Sequence, residues 1–186
     1  MKKNPCVALL LSAVLAGGLL AGCGGVYDPA DVEAPAGVGT AACLGDAGAA
    51  RLSEAFRSGA AGSGLAVGDN EQIQDALNRA LTRRTAPAGT AALGRSLENL
   101  LRREGMDAEL SATVPEMKAS GAERAGCIFK STFEPANVGQ SAAFLPVAVR
   151  EIRRMLGEDA ADYELYLSVE DCTNSEAAYA LLMIRT

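Results

Sequence analysis

The chain has 186 residues, of which 49% are apolar and 22% are charged, so it is long enough for one compact core and too short for two full domains. It contains no histidine, which excludes serine triads and zinc sites built on histidine, and its aromatic content of 4% disfavours stacking platforms for bases or sugars. The net charge of −6 argues against nucleic acid as a partner, because that binding needs clustered Lys or Arg.

Residues 1–22 have the pattern of a signal peptide. Lys2 and Lys3 supply the positive charge at the start, and residues 7–20 form an apolar run that is broken only by one serine and two glycines. The run is too short for a permanent membrane-spanning helix, and Gly-rich sequence follows it at once. We therefore expect this segment to be removed during export.

The apolar run ends in the tetrad Leu20-Ala21-Gly22-Cys23. A branched apolar residue, two small residues and a cysteine resemble the lipobox of bacterial lipoproteins. The resemblance implies cleavage between Gly22 and Cys23, and a diacylglyceryl group joined to the Cys23 thiol through a thioether, with fatty acids such as palmitate as the anchor. Several acyl chains on one residue hold a protein firmly on a membrane. The alternatives are an ordinary cysteine after an ordinary signal peptide, or a hydrophobic helix.

The lipidated cysteine would begin a tether over residues 23–42. Residues 24–40 are rich in Gly, Ala and Pro and lack helical or strand periodicity, although part of them could pack on the domain as an irregular strand. Gly24 stands where lipoproteins of two-membrane bacteria carry aspartate as an inner-membrane retention signal, so the resemblance implies the outer membrane, facing the periplasm. Loss of Lys2 and Lys3 lowers the net charge from −6 to −8, so lipid rather than charge would hold the membrane.

Residues 43–186 are expected to form one domain that begins with helices. Apolar spacing predicts a helix over about 46–57, an interruption at 59–68, and a second helix that Asp69 caps, with Gln72 three residues on. Arg83 and Arg84 suit the carboxyl end of this second helix. A third helix follows the turn at residues 87–89 and should pair with the second through its leucines, which are Leu93, Leu97, Leu100 and Leu101. Gly105 is expected to end it in a left-handed conformation.

Strands follow in the second half. Perfect alternation over 106–114 predicts a half-buried strand, and residues 127–133 predict a second. A helix over 146–156, with Pro146 in its first turn and Gly157 as its stop, precedes an alternating strand over 163–169. Turn residues at 171–175 and a return strand over 178–184 complete a hairpin. The expected fold class is α+β, with N-terminal helices packed on a small antiparallel sheet that has an inserted helix.

Signal removal and lipidation leave three cysteines, Cys43, Cys127 and Cys172. An oxidising compartment favours one disulfide and one leftover thiol. We predict a Cys127–Cys172 bridge, because each residue lies at the end of a predicted strand and antiparallel neighbours would bring those ends together. Cys43 could take either partner. A reactive thiol at Cys127 would need a cation such as Arg124 to lower its pKa.

Carboxylates cluster in the last third of the chain, and a facing pair could cleave a glycan. These residues are Glu158, Asp159, Asp162, Glu164, Glu170 and Asp171. Most fall in a turn or on the polar side of a strand, where solvated charges are usual. We therefore predict no catalytic residues, no metal ligands and no cofactor.

The sequence favours a non-enzymatic lipoprotein of the cell envelope that binds or positions another envelope protein. The partners expected are the membrane, through the N-terminal lipid, and one envelope protein. The alternatives are an envelope hydrolase that uses paired carboxylates, and a small-ligand or inhibitor-type binding module.

Overall fold

The computed structural model describes residues 45–82, 89–134, 137–173 and 176–186, and only the backbone of residues 171–173 and 176. Five strands form a single sheet in the order β1-β4-β5-β3-β2. The strands are β1 (Ala66–Val67), β2 (Glu109–Ser111), β3 (Ala125–Phe133), β4 (Tyr163–Thr173) and β5 (Glu176–Arg185). The helices are α1 (Gly45–Ser63), α2 (Glu71–Thr82), α3 (Thr90–Arg103), α4 (Val114–Ala119) and α5 (Val138–Leu156), with a 3-10 helix over Gly157–Asp162.

The sheet is mixed, and the α+β class predicted from sequence is confirmed. Its three long strands are antiparallel, since β5 pairs with β3 on one side and with β4 on the other. The prediction of a wholly antiparallel sheet is wrong at both edges, where β1 runs parallel to β4 and β2 runs parallel to β3. The helix α4 connects β2 to β3, and a strand that returns through a helical crossover runs in its original direction.

The central strand β5 is buried on both faces. Every residue from Ala177 to Ile184 is buried, and the side chains alternate between two separate apolar clusters. Odd-numbered residues of β5 pack with α1 and α5, and even-numbered residues pack with α2 and α3. Helices on both faces explain why this strand is continuously apolar although Ala, Leu and Met also favour helices. The predicted return strand and the strand predicted over 127–133 are confirmed, and β4 pairs with β5 as the predicted hairpin requires. The prediction of a turn from residue 171 is wrong, because β4 continues to Thr173.

Helix α1 and helix α5 are both longer than the sequence predicts. The first runs past Arg57 to Ser63, and the second begins at Val138, so Pro146 lies inside it rather than in its first turn. The two helices touch at Gly59, where an added Cβ would lie 2.8 Å from the Cα of Pro146. Close packing of the two helices outweighs the cost of a glycine and a proline in helical segments.

Helices α2 and α3 form as predicted and share one apolar cluster. The cap of α2 differs from the prediction: the Asn70 side-chain oxygen, not Asp69, accepts hydrogen bonds from the backbone N–H groups of Gln72 at 3.0 Å and Ile73 at 3.2 Å. Gly105 follows the C-cap residue of α3 and has a φ of 74°, as expected for the left-handed conformation after a helix. Arg83 and Arg84 lie outside the described residues.

The strand predicted over 106–114 is mostly wrong. Only Glu109–Ser111 pairs, and a helix begins at Val114. Thr113 caps this helix by accepting a hydrogen bond from the Glu116 backbone N–H, and the Thr113 hydroxyl donates to the Glu116 carboxylate at 2.9 Å. The sequence Thr-x-x-Glu at residues 113–116 is the typical signal of such a helix cap. It lies at the end of the segment in which alternation predicts a strand.

Candidate functional site

A cleft of about 500 Å³ lies at the outer edge of β4, between the helical layers of the two sheet faces. Helix α1 supplies one wall, the start of α2 supplies the other, and the floor comes from β1 and β4. The lining residues are Ser53, Phe56, Arg57, Val67, Gly68, Asp69, Glu71, Gln74, Asp75 and Leu167.

The floor of the cleft is a sheet edge that β1 covers only in part. Strand β1 pairs with β4 at two positions, Ala66 opposite Glu164 and Val67 opposite Leu165. The chain then leaves the sheet after the Gly68 N–H donates to the Leu165 carbonyl at 2.9 Å. Strand β4 continues to Thr173, so most of its outer edge extends past the end of β1.

The next carbonyl along the outer edge of β4, that of Leu167, accepts a hydrogen bond from a side chain. Gln74 of α2 donates its Nε2 amide to the Leu167 carbonyl at 3.0 Å, and the same nitrogen lies 2.9 Å from the side-chain oxygen of Asn78. A side-chain amide therefore stands where the N–H of a neighbouring strand would stand in a longer sheet.

The rim of the cleft is acidic. Asp69, Glu71 and Asp75 are exposed along the α2 side, and Arg57 is the exposed cation on the α1 side. Apolar surface lies beside these charges, because 41% of Val67 is exposed. The combination of a backbone edge, an apolar patch and an acidic rim suits a polypeptide partner more than a small apolar ligand.

The cleft floor is braced by a buried tyrosine. The Tyr166 hydroxyl donates to the Glu164 carboxylate at 2.8 Å, and its ring packs directly against the Gly68 backbone. Burial, and next the hydrogen bond to Glu164 and the negative charge there, raises the pKa of Tyr166 well above its usual value. The hydroxyl thus stays protonated as the donor to Glu164, while the ring packs against the segment between β1 and α2.

None of the five members of the predicted carboxylate cluster whose side chains the structure describes lines this cleft. Three of them lie in the 3-10 helix that precedes β4, and one of these, Asp159, forms an ion pair of 2.6 Å with Lys118. That contact lowers the pKa of Asp159, mainly through the hydrogen bond. Glu164 and Glu170 are six positions apart on β4, which separates their backbones by about 20 Å, whereas glycan cleavage needs carboxyl groups within about 10 Å. The structure describes no side chain for Asp171.

The predicted Cys127–Cys172 disulfide is wrong. Cys127 is a buried free thiol opposite Met183 of β5, which in turn pairs with Leu165 of β4. Both β3 and β4 are antiparallel to β5, so they run in the same direction, and Cys172 lies at the far end of β4. Seven residues of strand beyond Leu165 span about 23 Å, whereas a disulfide needs Cα atoms within about 7 Å.

The Cys127 thiol is also unsuited to act as a nucleophile. Burial, and then the charge of Glu116, raises the pKa of Cys127 from 9.0 to about 12, so Arg124 does not activate it. The third cysteine, Cys43, lies outside the described residues, as do the predicted cleavage and lipidation positions Gly22 and Cys23.

A second, shallower cleft of about 430 Å³ lies at the opposite sheet edge beside β2. Acidic and basic residues alternate there, and Arg102 forms an ion pair with Asp107 at 3.4 Å.

No group of three or more Cys, Asp or Glu is placed to hold a metal ion within the described ranges. None of the helices in the described part of the chain is both long and apolar enough to span a bilayer.

Comparison with known proteins adds no assignment, because no family model, curated protein or solved structure matches this chain.

Proposed function

We propose that this protein is a lipid-anchored binding module of the bacterial cell envelope. Acyl chains on Cys23 would hold it on the periplasmic face of the outer membrane, and the tether would let the α+β domain reach a partner protein. The tetrad Leu20-Ala21-Gly22-Cys23 supports the anchor. The binding role is carried by one observation, the partly covered edge of β4 at the floor of an acidic cleft.

The anchor is tested by replacing the lipidated residue. The Cys23→Ser variant should lose fatty-acid labelling in cells, keep a longer N-terminus and leave the outer-membrane fraction, whereas Cys127→Ala, which removes a thiol from the core without burying a hydroxyl, should behave as wild type in all three measurements. Mass spectrometry of the wild-type protein should find the first 22 residues removed and acyl groups on Cys23. Unacylated Cys23 in the wild type would contradict the anchor.

The binding role is tested separately by crosslinking in cells. A photoreactive amino acid at Val67, which is 41% exposed beside the cleft, should capture a defined envelope protein. The matched control is the same amino acid at Glu123, an exposed position beside the opposite sheet edge. Equal capture of the same proteins from both positions, or none from Val67, would contradict a binding role for this cleft.

A further inference from the structure

We propose that the cleft binds an extended, positively charged segment of the partner protein, which adds to β4 as a new strand beyond β1 and displaces Gln74. This inference rests on the proposed function and specifies the chemistry of its partner.

The first argument is the direction of the backbone groups along β4. The Leu165 carbonyl accepts from Gly68 and the Leu167 carbonyl accepts from Gln74, so both carbonyls face the cleft. In an extended strand every second residue turns its N–H and C=O to the same side, so Val169 also faces the cleft edge. An added strand would therefore find a ladder of donors and acceptors that begins where β1 stops. Such strand addition is a common mode of peptide recognition.

The second argument is the nature of the residue that now occupies this edge. Gln74 is half-buried, and its amide satisfies the Leu167 carbonyl through one hydrogen bond from a flexible side chain. An incoming strand would replace this bond with a backbone N–H donor at the same acceptor. The side chain can then turn to solvent and keep its contact with Asn78, so displacement leaves no buried group unsatisfied.

The third argument is charge, which selects the occupant. Among the described residues that line the cleft, Asp69, Glu71 and Asp75 are acidic and Arg57 is the one cation. A basic segment is attracted to this rim, and opposite charges also speed its approach. A second copy of this chain is disfavoured, because edge-to-edge pairing would bring two acidic rims together in chains that each carry a net charge of −6.

The two walls of the cleft define the pattern of the segment. An added strand points alternate side chains toward α1 and toward α2. The α1 side is lined by Leu167, by Phe56, which is only 3% exposed, and by the exposed Arg57, which repels a cation, whereas the α2 side presents Glu71 and Asp75. We expect a segment in which apolar residues alternate with Lys or Arg, so that the apolar residues face α1 and the cations face α2.

The test uses the full chain in detergent and a fluorescein-labelled heptapeptide, Val-Lys-Val-Lys-Val-Lys-Val, with binding followed by fluorescence anisotropy at low salt. One control peptide has Glu in place of Lys. Two further peptides keep the charge and are N-methylated, one at the Val residues and the other at the Lys residues, so that each loses one row of strand donors. We expect binding of the first peptide, at least tenfold weaker binding of the Glu peptide, and at least tenfold weaker binding of the N-methylated peptide whose lost row faces β4. Unchanged binding of both N-methylated peptides would leave charge as the sole attraction and overturn strand addition.

Variants locate the site. The Gln74→Ala variant should bind the peptide about fivefold more tightly, because the competing hydrogen bond to Leu167 is gone. Asp69→Asn with Asp75→Asn should bind about tenfold more weakly. The control Glu109→Gln with Glu123→Gln removes the same charge at the opposite sheet edge and should leave binding unchanged. Equal weakening by both pairs, or no response to Gln74→Ala, would overturn the inference.

The outcome also separates this inference from the proposed function. If crosslinking at Val67 captures an envelope protein while the basic peptide does not bind, strand addition is wrong and the binding role stands. If both fail, both proposals fall. If sedimentation shows a dimer that Gln74→Ala strengthens, the occupant is a second copy of this chain and the basic-segment proposal is overturned.

Discussion

Gly68 is the residue on which the cleft floor depends. The chain turns there from β1 toward α2, and a Cβ at this position would lie 2.0 Å from the Cζ atom of Tyr166. We predict that Gly68→Ala lowers the free energy of unfolding by about 1 to 3 kcal/mol, because the buried ring has no room to withdraw. Urea denaturation monitored by circular dichroism measures this loss.

Gly94 provides the matched control for this prediction. It lies within α3, and nothing lies within 4 Å of the position its Cβ would take. Gly94→Ala should therefore raise the free energy of unfolding by about 0.5 to 1 kcal/mol, since alanine favours a helix over glycine. Equal effects of both substitutions would show that contact with Tyr166 is not the cause.

Cys127 makes stability depend on pH. Burial raises the pKa of its thiol from 9.0 to about 12, so the unfolded chain loses this proton at a lower pH than the folded chain does. The resulting stabilisation is complete below pH 9 and is lost as the pH rises from 9 toward 12. The loss approaches about 1.4 kcal/mol per pH unit in that window.

The comparison that isolates this thiol is wild type against Cys127→Ala. Urea denaturation at about pH 8 and about pH 10.5 should show a smaller fall in the free energy of unfolding for the variant. Tyr166 and Tyr179, whose pKa values burial also raises, are present in both chains, so their contribution cancels. Identical pH dependence in both chains would contradict a buried neutral thiol.

At the scale of elements, the start of α2 fixes the acidic wall of the cleft. Asn70 holds this helix end through two backbone N–H groups. We predict that Asn70→Ala lowers the free energy of unfolding by about 1 kcal/mol, as loss of a helix cap does. Asp69→Ala, which alters the cap suggested by the sequence, should change it by less than about 0.5 kcal/mol. Thermal denaturation ranks the two, and the reverse order would contradict the cap.

Elements were predictable from sequence where one face of a helix or strand meets a core. Helices α2 and α3 and strand β4 carry apolar residues at the spacing that burial demands, and all three form. The strand predicted from the alternation over 106–114 does not form at full length, because Thr113 and Glu116 cap a helix there and this local structure competes with strand pairing. Strand β1 has two residues and exists only through its pairing with β4, so no periodicity could reveal it.

The candidate site was not predictable for a related reason. Gln74 and Leu167 lie 93 positions apart, and their contact depends on β4 standing next to the short edge strand rather than at the sheet centre. The same strand order separates Cys127 from Cys172. Hairpin patterns indicate which strands are neighbours in sequence, but they do not specify which edges remain partly uncovered.

At the scale of the molecule, the sheet joins two apolar layers into one folding unit. Leu97 of α3 lies in one layer and Leu145 of α5 lies in the other, and both side chains are 0% exposed. Because alternate residues of β5 pack into each layer, loosening either layer exposes one face of the same central strand. The cleft needs both walls, so its geometry depends on this coupling.

We therefore predict that Leu97→Ala and Leu145→Ala each lower the free energy of unfolding by about 2 to 5 kcal/mol and that each keeps a single transition. Since the sites lie on opposite faces of the sheet, their effects should add within about 0.5 kcal/mol. Amide hydrogen exchange provides the stricter measurement: in either variant, the slowest amides of α3 and α5 should exchange faster by the same factor. Faster exchange confined to α2 and α3 in Leu97→Ala would mean that the two layers unfold separately and that β5 does not couple them.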